Sequence, residues 1–464
     1  MTSAARKENG NRIVEAHEPL AVRMARAAVL ASDCPPAVID KVKVCLLDLI
    51  GCAFESRALP WSRQAMALAD RVDSRSGGAT MIGSPDAVTY HAAAFANAVM
   101  GHGLVREDMH AGSVSHLGIV VLPTLLALSQ YRTVRGREFI AATTVGYEVG
   151  GRLGRALMDP DVARIHRPTG LTGPVAGAAA AARLLGLNVD AATSAIALGA
   201  NATAGLNQWA HTGGSEMFFQ AGYAARNALT AARLAEAGAF ASPSALDGEA
   251  GLFAAFRKRS AASAVEMFRA EPEILSVYHK PLPACNFAQT ACQAALSIAR
   301  DAKLPPDRIT SIAIRVPSAG KQYPGCDFVG PFAHVLQAKM SIQYNVAAAL
   351  IAGNVTEKNF TLLNHPELHR LIGITSLEVD DEMSAAYPGM QGGAVAVRDG
   401  DGATYQVRLQ DVVNASANDV RARFRTSVSA ALGTGRAKEI EQAVDALEHS
   451  DDVGVIAGLL RPAQ

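Results

Sequence analysis

Histidine side chains are concentrated in one short stretch of the sequence. Three of the 12 histidines, His102, His110 and His116, fall between Ala96 and Gly118, where an alanine-rich segment gives way to a glycine-rich one. Histidine gains and loses its proton near neutral pH, so a group of histidines on a loop is suited to general acid–base catalysis. Capping or surface histidines would give the same pattern, and the spacing leaves both interpretations open.

Two further segments place polar side chains beside expected element boundaries. Segment 164–174 contains His166 and then Thr172 before an alanine-rich run. This pattern indicates a helix start, whose free N–H groups favour an anion such as a carboxylate. Segment 278–286 contains Lys280 directly before a proline, which restricts the backbone that carries the lysine. A plain capped connection and a solvated lysine are the alternatives.

Several common catalytic signatures are absent from the sequence. It contains no GxGxxG after a strand, no GxxxxGK[ST] and no GxSxG, which argues against nucleotide-dependent and α/β-hydrolase chemistry. His365 and His369 could share a helix face, but Pro366 stands where a zinc protease motif needs glutamate. We therefore predict no metal site.

Helical periodicity dominates the first half of the chain, and the helices that it predicts must position these segments. Segment 37–54 places its apolar residues on one stripe, and later segments repeat the pattern with frequent alanine. Alanine combines good helix propensity with a small side chain, so that neighbouring helices can approach closely. The sequence therefore predicts a large helical domain.

The pattern changes in the second half of the chain. Runs of alternating β-branched residues occur at 309–316, 376–379, 394–397 and 403–409. They predict a small, mostly antiparallel sheet with helices between its strands. Helical periodicity returns after Asn418, so we expect the tail to pack on the first domain. The predicted fold is mainly α, with an all-helical domain over 1–268 and 411–464 and a smaller α+β lid domain over 269–410.

Charge and hydropathy limit the partners and the location. The 464 residues include 43 basic and 43 acidic ones, so the chain has no net basic field for nucleic acid or an anionic membrane. Its first residues, up to Arg12, lack the apolar run of a signal peptide, and no segment offers the roughly 20 apolar residues of a membrane span. A cytoplasmic protein is expected. The six cysteines form no CxxC pair and are expected to be free thiols.

Four segments, in the same order, resemble motifs of the MmgE/PrpD family. Residues 102–123 resemble its N-G-x-x-x-H-x-x-D-F-D-D-T-H segment with the H-P-G and L-P that follow, and residues 164–187 resemble its G-x-H-x-T-G-x-x-G. Residues 280–285 resemble K-x-x-P-x-C, and residues 338–347 resemble A-K-F-S-x-x-Y-x-V-A. The resemblance covers nearly the whole chain.

The resemblance implies a homodimer in which the active site lies between a helical domain, built from both chain ends, and a lid. Members of the family include 2-methylcitrate dehydratase, cis-aconitate decarboxylase and iminodisuccinate epimerase. None of them needs an organic cofactor, and all act at carbon alpha or beta to carboxylates. A small polycarboxylate substrate and no cofactor are therefore expected here. Carried over to this sequence, the catalytic set is His116, His166, Lys280 and Tyr344.

Three positions depart from the family's pattern. Val105 stands at the first Asp of D-F-D-D, Met109 at the Thr, and Met217 where the family's first lysine belongs. The loss of one carboxylate and one ammonium removes part of what would assist a departing hydroxide. This disfavours 2-methylcitrate dehydration and cis-aconitate decarboxylation.

The leading hypothesis is therefore a cofactor-independent isomerase, similar to iminodisuccinate epimerase, that epimerises a small polycarboxylate. Such a reaction needs a base on one face of the carbon, an acid on the other and cations near the developing enolate. Lys280 and His116 are the candidate base and acid, with Tyr344 as a proton donor and His166 orienting a carboxylate. The residues expected to bind carboxylates are Arg106, His110 and His211.

Two alternatives stay open. A lyase could dehydrate or decarboxylate another hydroxy or unsaturated polycarboxylate, with Glu107 or Asp108 in place of the missing Asp. A non-catalytic descendant that binds a carboxylate ligand or serves as a scaffold would also be compatible with the charges lost at Val105 and Met217.

Overall fold

The chain is built mainly from helices, as a computed structural model shows for residues 18–32, 34–71, 78–269 and 271–462. The helices of the first half are α1 (Leu20–Leu30), α2 (Pro36–Ser56), α3 (Pro60–Leu68), α4 (Tyr90–His102), α5 (Gly118–Leu128), α6 (Gly136–Leu157), α7 (Pro160–Ile165), α8 (Pro168–Leu185), α9 (Val189–Asn201), α10 (Trp209–Thr212), α11 (Glu216–Glu236) and α12 (Leu252–Ala255). The helices of the second half are α13 (Gln289–Ala302), α14 (Ser318–Gln322), α15 (Val335–Met340), α16 (Ile342–Ala352), α17 (Pro366–Gly373), α18 (Asp381–Ala386), α19 (Ala417–Leu432), α20 (Thr434–Asp445) and α21 (Val453–Leu459). The strands are β1 (Ala79–Thr80), β2 (Ala87–Val88), β3 (Met109–His110), β4 (Val277–Tyr278), β5 (Ile309–Val316), β6 (Thr375–Val379), β7 (Gly393–Asp399) and β8 (Thr404–Leu409).

Helix α8 lies at the centre of the helical part and packs against α6, α9, α11 and α5. Its alanine run is fully buried because small side chains let four neighbours approach one helix. A Cβ atom on Gly177 would lie only 2.6 Å from the Cβ of Ala228 on α11, so the two backbones nearly touch there. The helix predicted to begin at Thr172 begins instead at Pro168, and the Thr172 hydroxyl donates back to the Pro168 carbonyl. The free N–H groups expected after Thr172 are therefore inside the helix.

The largest sheet has the strand order β6-β5-β7-β8. Strand β5 pairs in parallel with β6 and antiparallel with β7, and β7 pairs antiparallel with β8, so the sheet is mostly antiparallel as predicted. Helix α13 packs on β7 and β8. The predicted fold class, mainly α with a smaller α+β region, is confirmed.

The C-terminal helices return to the N-terminal part of the chain. Helix α19 packs along α2, and a Cβ atom on Gly51 would lie 3.2 Å from the Cα of Phe424. Two partly buried ion pairs join the same regions: Asp48 accepts from Arg423 at 2.6 Å, and Lys43 donates to Glu448 at 2.9 Å. None of the helices in the described residues combines the length and apolar character needed to cross a membrane.

Candidate active site

A buried carboxylate and two imidazoles form the centre of the site. Helix α4 ends at His102, and the loop that follows carries Glu107 and His116 before α5 begins. The Nδ1 atoms of His102 and His116 lie 2.5 Å and 2.9 Å from the same oxygen, Oε1 of Glu107. Nδ1 of His116 also lies 3.0 Å from the backbone carbonyl of Asp108. Because carboxylate and carbonyl oxygens only accept hydrogen bonds, both rings carry their proton on Nδ1, and Nε2 of His116 is left as a lone-pair acceptor.

Burial fixes the charge of this cluster. Burial lowers the pKa of His116 to about 4, although the carboxylate of Glu107 opposes this shift. It also lowers the pKa of His102 below its usual range. Burial would raise the pKa of Glu107, but the histidines that donate to it hold that pKa well below its usual range. At neutral pH the cluster is therefore one carboxylate between two neutral imidazoles.

Arg167 supplies a buried positive charge beside this cluster. Its Nη2 atom lies 3.1 Å from Nε2 of His102, and its Nη1 donates to the hydroxyl of Tyr323 at 3.2 Å. Both partners are uncharged, and no carboxylate in the described part of the chain forms an ion pair with this guanidinium. A buried guanidinium with neutral partners favours binding of an anionic ligand, because planar carboxylates match its paired donors.

Two buried lysines lie on the other side of the loop. Lys280 donates to the carbonyl of Val105, and burial lowers the pKa of this lysine to about 8. Glu107 and Cys285 oppose this shift in the pKa, whereas the nearby charges of Arg167 and Lys339 contribute to it. Lys339 donates to Glu357 at 2.6 Å, so its charge is already compensated. Lys280 is therefore the lysine whose proton is available near neutral pH.

A small cavity of about 20 Å³ opens beside these groups. Its walls include His116, Arg167, Cys285 and Tyr323 together with the apolar residues Val105, Met109, Val114, Met217, Phe287 and Met340. The positions at which the sequence departs from the family motifs, 105, 109 and 217, all line this cavity. The departures thus replace polar groups by apolar ones at the site itself.

Cys285 is a wall residue that the sequence did not single out as functional. Its Sγ lies 3.5 Å from Sγ of Cys326. Burial would raise the pKa of Cys285, but the hydrogen bond with Cys326 and the charge of Lys280 bring it down to about 7. This thiol therefore titrates in the neutral range at the edge of the cavity.

Two of the four predicted catalytic residues lie at this cluster. His116 lines the cavity, and Lys280 is close enough for its charge to affect the pKa of His116. Tyr344 lies elsewhere, between the rings of Phe332 and Phe360, and its hydroxyl donates to a backbone carbonyl at 2.8 Å.

His166 also lies away from the cluster. It borders a separate cavity of about 440 Å³, where its ring packs edge-on against Phe256. Its neighbour Arg167, rather than His166, lines the catalytic cavity. Counting back from Thr169 and Gly170 in the pattern G-x-H-x-T-G also leads to Arg167, so the motif contained the signal for this residue.

The three residues expected to bind carboxylates have other surroundings. His110 is buried and bonded to Glu273 at 2.6 Å, while Arg106 forms a two-armed pair with Glu55. His211 lies exposed on α10, at a surface cavity that does not include His116. The first two already have acidic partners, and the third does not line the catalytic cavity.

His102, Glu107 and His116 are also the described residues whose ligand atoms could gather around a metal ion. Both Nδ1 atoms are at hydrogen-bond distance from one carboxylate oxygen, so these two nitrogens are used in holding Glu107. Arg167 donates to His102, and Lys280 carries a second nearby charge, so a further cation would be repelled. The donor set fits hydrogen-bonded imidazoles better than a metal centre.

The fold combines a helical core with a small sheet. Both halves of the chain contribute to the buried acid–base site, since His116 and Arg167 come from the first half and Cys285 and Tyr323 from the second. The chain belongs to the MmgE/PrpD family: the model of the family's N-terminal domain matches residues 25–264, and that of its C-terminal domain matches residues 282–449. The family expected from the four motifs is thus confirmed.

Known relatives carry the name cis-aconitate decarboxylase. The enzyme of Aspergillus terreus is 32% identical over 212 residues, which are 44% of this chain and 43% of that enzyme. The human enzyme is 28% identical over 450 residues, 91% of this chain and 90% of that enzyme, and the mouse enzyme is 26% identical over 451 residues. The match to the fungal relative therefore spans less than half of its length, whereas the mammalian matches span nearly all of it.

Proposed function

We propose that this chain is an enzyme that moves a proton at a carbon next to a carboxylate, without an organic cofactor. The observation that carries the proposal is His116: it is neutral, its Nδ1 is held by Glu107, and it lines a cavity together with the guanidinium of Arg167. An imidazole with a fixed tautomer and a free Nε2 is a general base. A carboxylate bound by Arg167 would bring its alpha carbon next to that base.

The roles of His116 and Lys280 are the reverse of those first assigned from the sequence. With a pKa of about 8, Lys280 is mostly an ammonium at neutral pH, and with a pKa of about 4, His116 is neutral. His116 therefore takes the proton as the C–H bond breaks, and the electron pair moves into the carboxylate as an enolate. Arg167 stabilises that charge, and Lys280 supplies a proton to the carbon.

Delivery of this proton to the opposite face gives epimerisation, which remains our leading outcome. The apolar residues Val105 and Met217 support it, because they offer nothing to help a hydroxide depart. A lyase is the second candidate, favoured by the names of the relatives. In a dehydration the enolate would expel hydroxide from the next carbon instead of accepting a proton. In a decarboxylation a C–C bond would break with release of CO2, and Lys280 would protonate the carbanion that is left.

The test is hydrogen exchange in deuterium oxide with chiral 2-substituted succinates, iminodisuccinate among them. Wild type should place deuterium at the alpha carbon, and His116→Gln should not. His166→Gln is the matched control, since this histidine lies outside the cavity and its loss should leave exchange unchanged.

Three other outcomes separate the alternatives. A conjugated alkene absorbing in the ultraviolet would establish the lyase. Binding without exchange or product by wild type would indicate the non-catalytic descendant. Exchange that survives in His116→Gln would remove His116 from the role of base.

A further inference from the structure

A second, larger cavity of about 400 Å³ adjoins the catalytic one. Val114, Phe287 and Tyr323 line both of them, so the two cavities share this part of their walls. The inner cavity, about 20 Å³, has room for little more than one water molecule. A carboxylate that reaches Arg167 must therefore displace side chains of the inner cavity, and the adjoining outer cavity offers room for the rest of the substrate.

The outer cavity is lined by aromatic rings. The ring of Phe287 lies 5.3 Å from that of Tyr323 and 5.7 Å from that of Tyr387, measured between centroids. Val114 and Met158 add aliphatic surface. Tilted rings at these distances form a wall that favours another ring or a bulky hydrocarbon group.

Charge in the outer cavity disfavours a second carboxylate. Asp159 is the charged residue among its described wall residues, and its carboxylate already binds Lys258 and the N–H of Val162. No lysine or arginine is among these wall residues. The described walls of the outer cavity thus offer an anionic group no unpaired cation and mostly apolar surface, whereas Arg167 in the inner cavity has no anionic partner.

One polar atom in the outer wall lacks a partner. The hydroxyl of Tyr387 is buried and forms no hydrogen bond with any described residue. A buried hydroxyl without a partner is unfavourable, so a bound ligand with a polar atom within reach would relieve that cost.

We propose that the outer cavity is a subsite for a ring-bearing apolar substituent, so that the substrate is an aryl-substituted carboxylate rather than a compact tricarboxylate. This inference rests on the proposed function, because it takes the carboxylate end to be bound by Arg167 beside His116. The small catalytic cavity and the larger apolar one then receive the two ends of the same molecule.

Calorimetric titration with three probes tests the subsite. Succinate supplies the carboxylates alone, benzylsuccinate adds an aromatic ring, and tricarballylate adds a third carboxylate instead. We expect benzylsuccinate to bind about tenfold more tightly than succinate, because the ring leaves water for an apolar wall. Tricarballylate should bind no more tightly than succinate.

Substitution of two alanines tests whether the tighter binding of benzylsuccinate depends on the outer cavity. Ala319 lines the outer cavity, and Ala319→Leu should fill it and abolish the advantage of benzylsuccinate while leaving succinate binding unchanged. Ala299 is a similarly half-buried alanine on α13 that does not line the cavity, and Ala299→Leu should keep the advantage. Thermal unfolding of both variants checks that they are folded, and the comparison of the three probes on wild type does not depend on either variant.

The possible results are distinguishable. Equal affinities for benzylsuccinate and succinate, or tighter binding of tricarballylate, would overturn the subsite while leaving the proposed function intact. If none of the three probes binds and no chiral succinate exchanges deuterium, the proposed function itself fails and the subsite with it.

Discussion

The division of roles between His116 and Lys280 gives the sharpest prediction. The productive enzyme has a neutral His116 and a charged Lys280, whose pKa values are about 4 and about 8. The fraction in this form is then about 98% at pH 6, about half at pH 8 and about a tenth at pH 9. The rate of inversion should therefore be flat between pH 5 and pH 7 and fall about tenfold per pH unit above pH 8.

The pH at which the inversion rate begins to fall depends on the burial of Lys280. A lysine at its ordinary pKa of 10.5 would keep inversion constant up to about pH 10. The rate is expected to fall near pH 8 instead because burial and the charges of Arg167 and Lys339 disfavour the ammonium form of Lys280.

Lys280→Met separates proton removal from proton return. The variant should still exchange the alpha proton, because His116 remains, but it should lose inversion about 100-fold or more, since the acid is gone. Polarimetry follows inversion, and mass spectrometry of the same samples follows deuterium. Loss of both signals in Lys280→Met, with exchange kept in His116→Gln, would refute the assignment and make Lys280 the base.

Three further changes test the site and the packing. Arg167→Met should weaken carboxylate binding about 100-fold, measured by calorimetry, whereas Arg164→Met on the exposed side of the same segment should have no effect. Gly177→Ala should lower the free energy of unfolding by about 1–3 kcal/mol because its Cβ would press on Ala228, and the same change at Gly373, which has open space, should not. Lys303 directly follows α13 with a φ of 48°, a left-handed backbone conformation that strains any residue but glycine. Lys303→Gly should therefore raise the free energy of unfolding, measured in urea, by about 0.5–1 kcal/mol. A decrease would contradict this argument.

Much of the fold follows from local patterns. The amphipathic stripe of segment 37–54 lies within helix α2, and the alternating run 309–316 coincides with strand β5. Both depend on periodicity, which is a property of consecutive residues. The two-residue strands β3 and β4 were not predicted, because they exist only where distant segments meet: Met109 pairs with Tyr278.

The site depended on sequence and tertiary structure in different ways. The motifs indicated His116 and Lys280, which lie at the cluster, and His166, whose neighbour Arg167 lines the cavity instead. The backbone is extended at His166 and Arg167, and consecutive side chains of an extended chain point to opposite sides. Arg167 therefore enters the cavity while His166 faces away from it.

Residue types along the chain determined which groups could bind protons or carboxylates. Only the tertiary structure decided which of them remain available, because the partners come from distant parts of the sequence. Glu273 pairs with His110 and Glu55 pairs with Arg106, while Glu107 and the carbonyl of Asp108 fix the tautomer of His116. Burial then sets the charges, and burial is a property of the whole packed molecule rather than of any single segment.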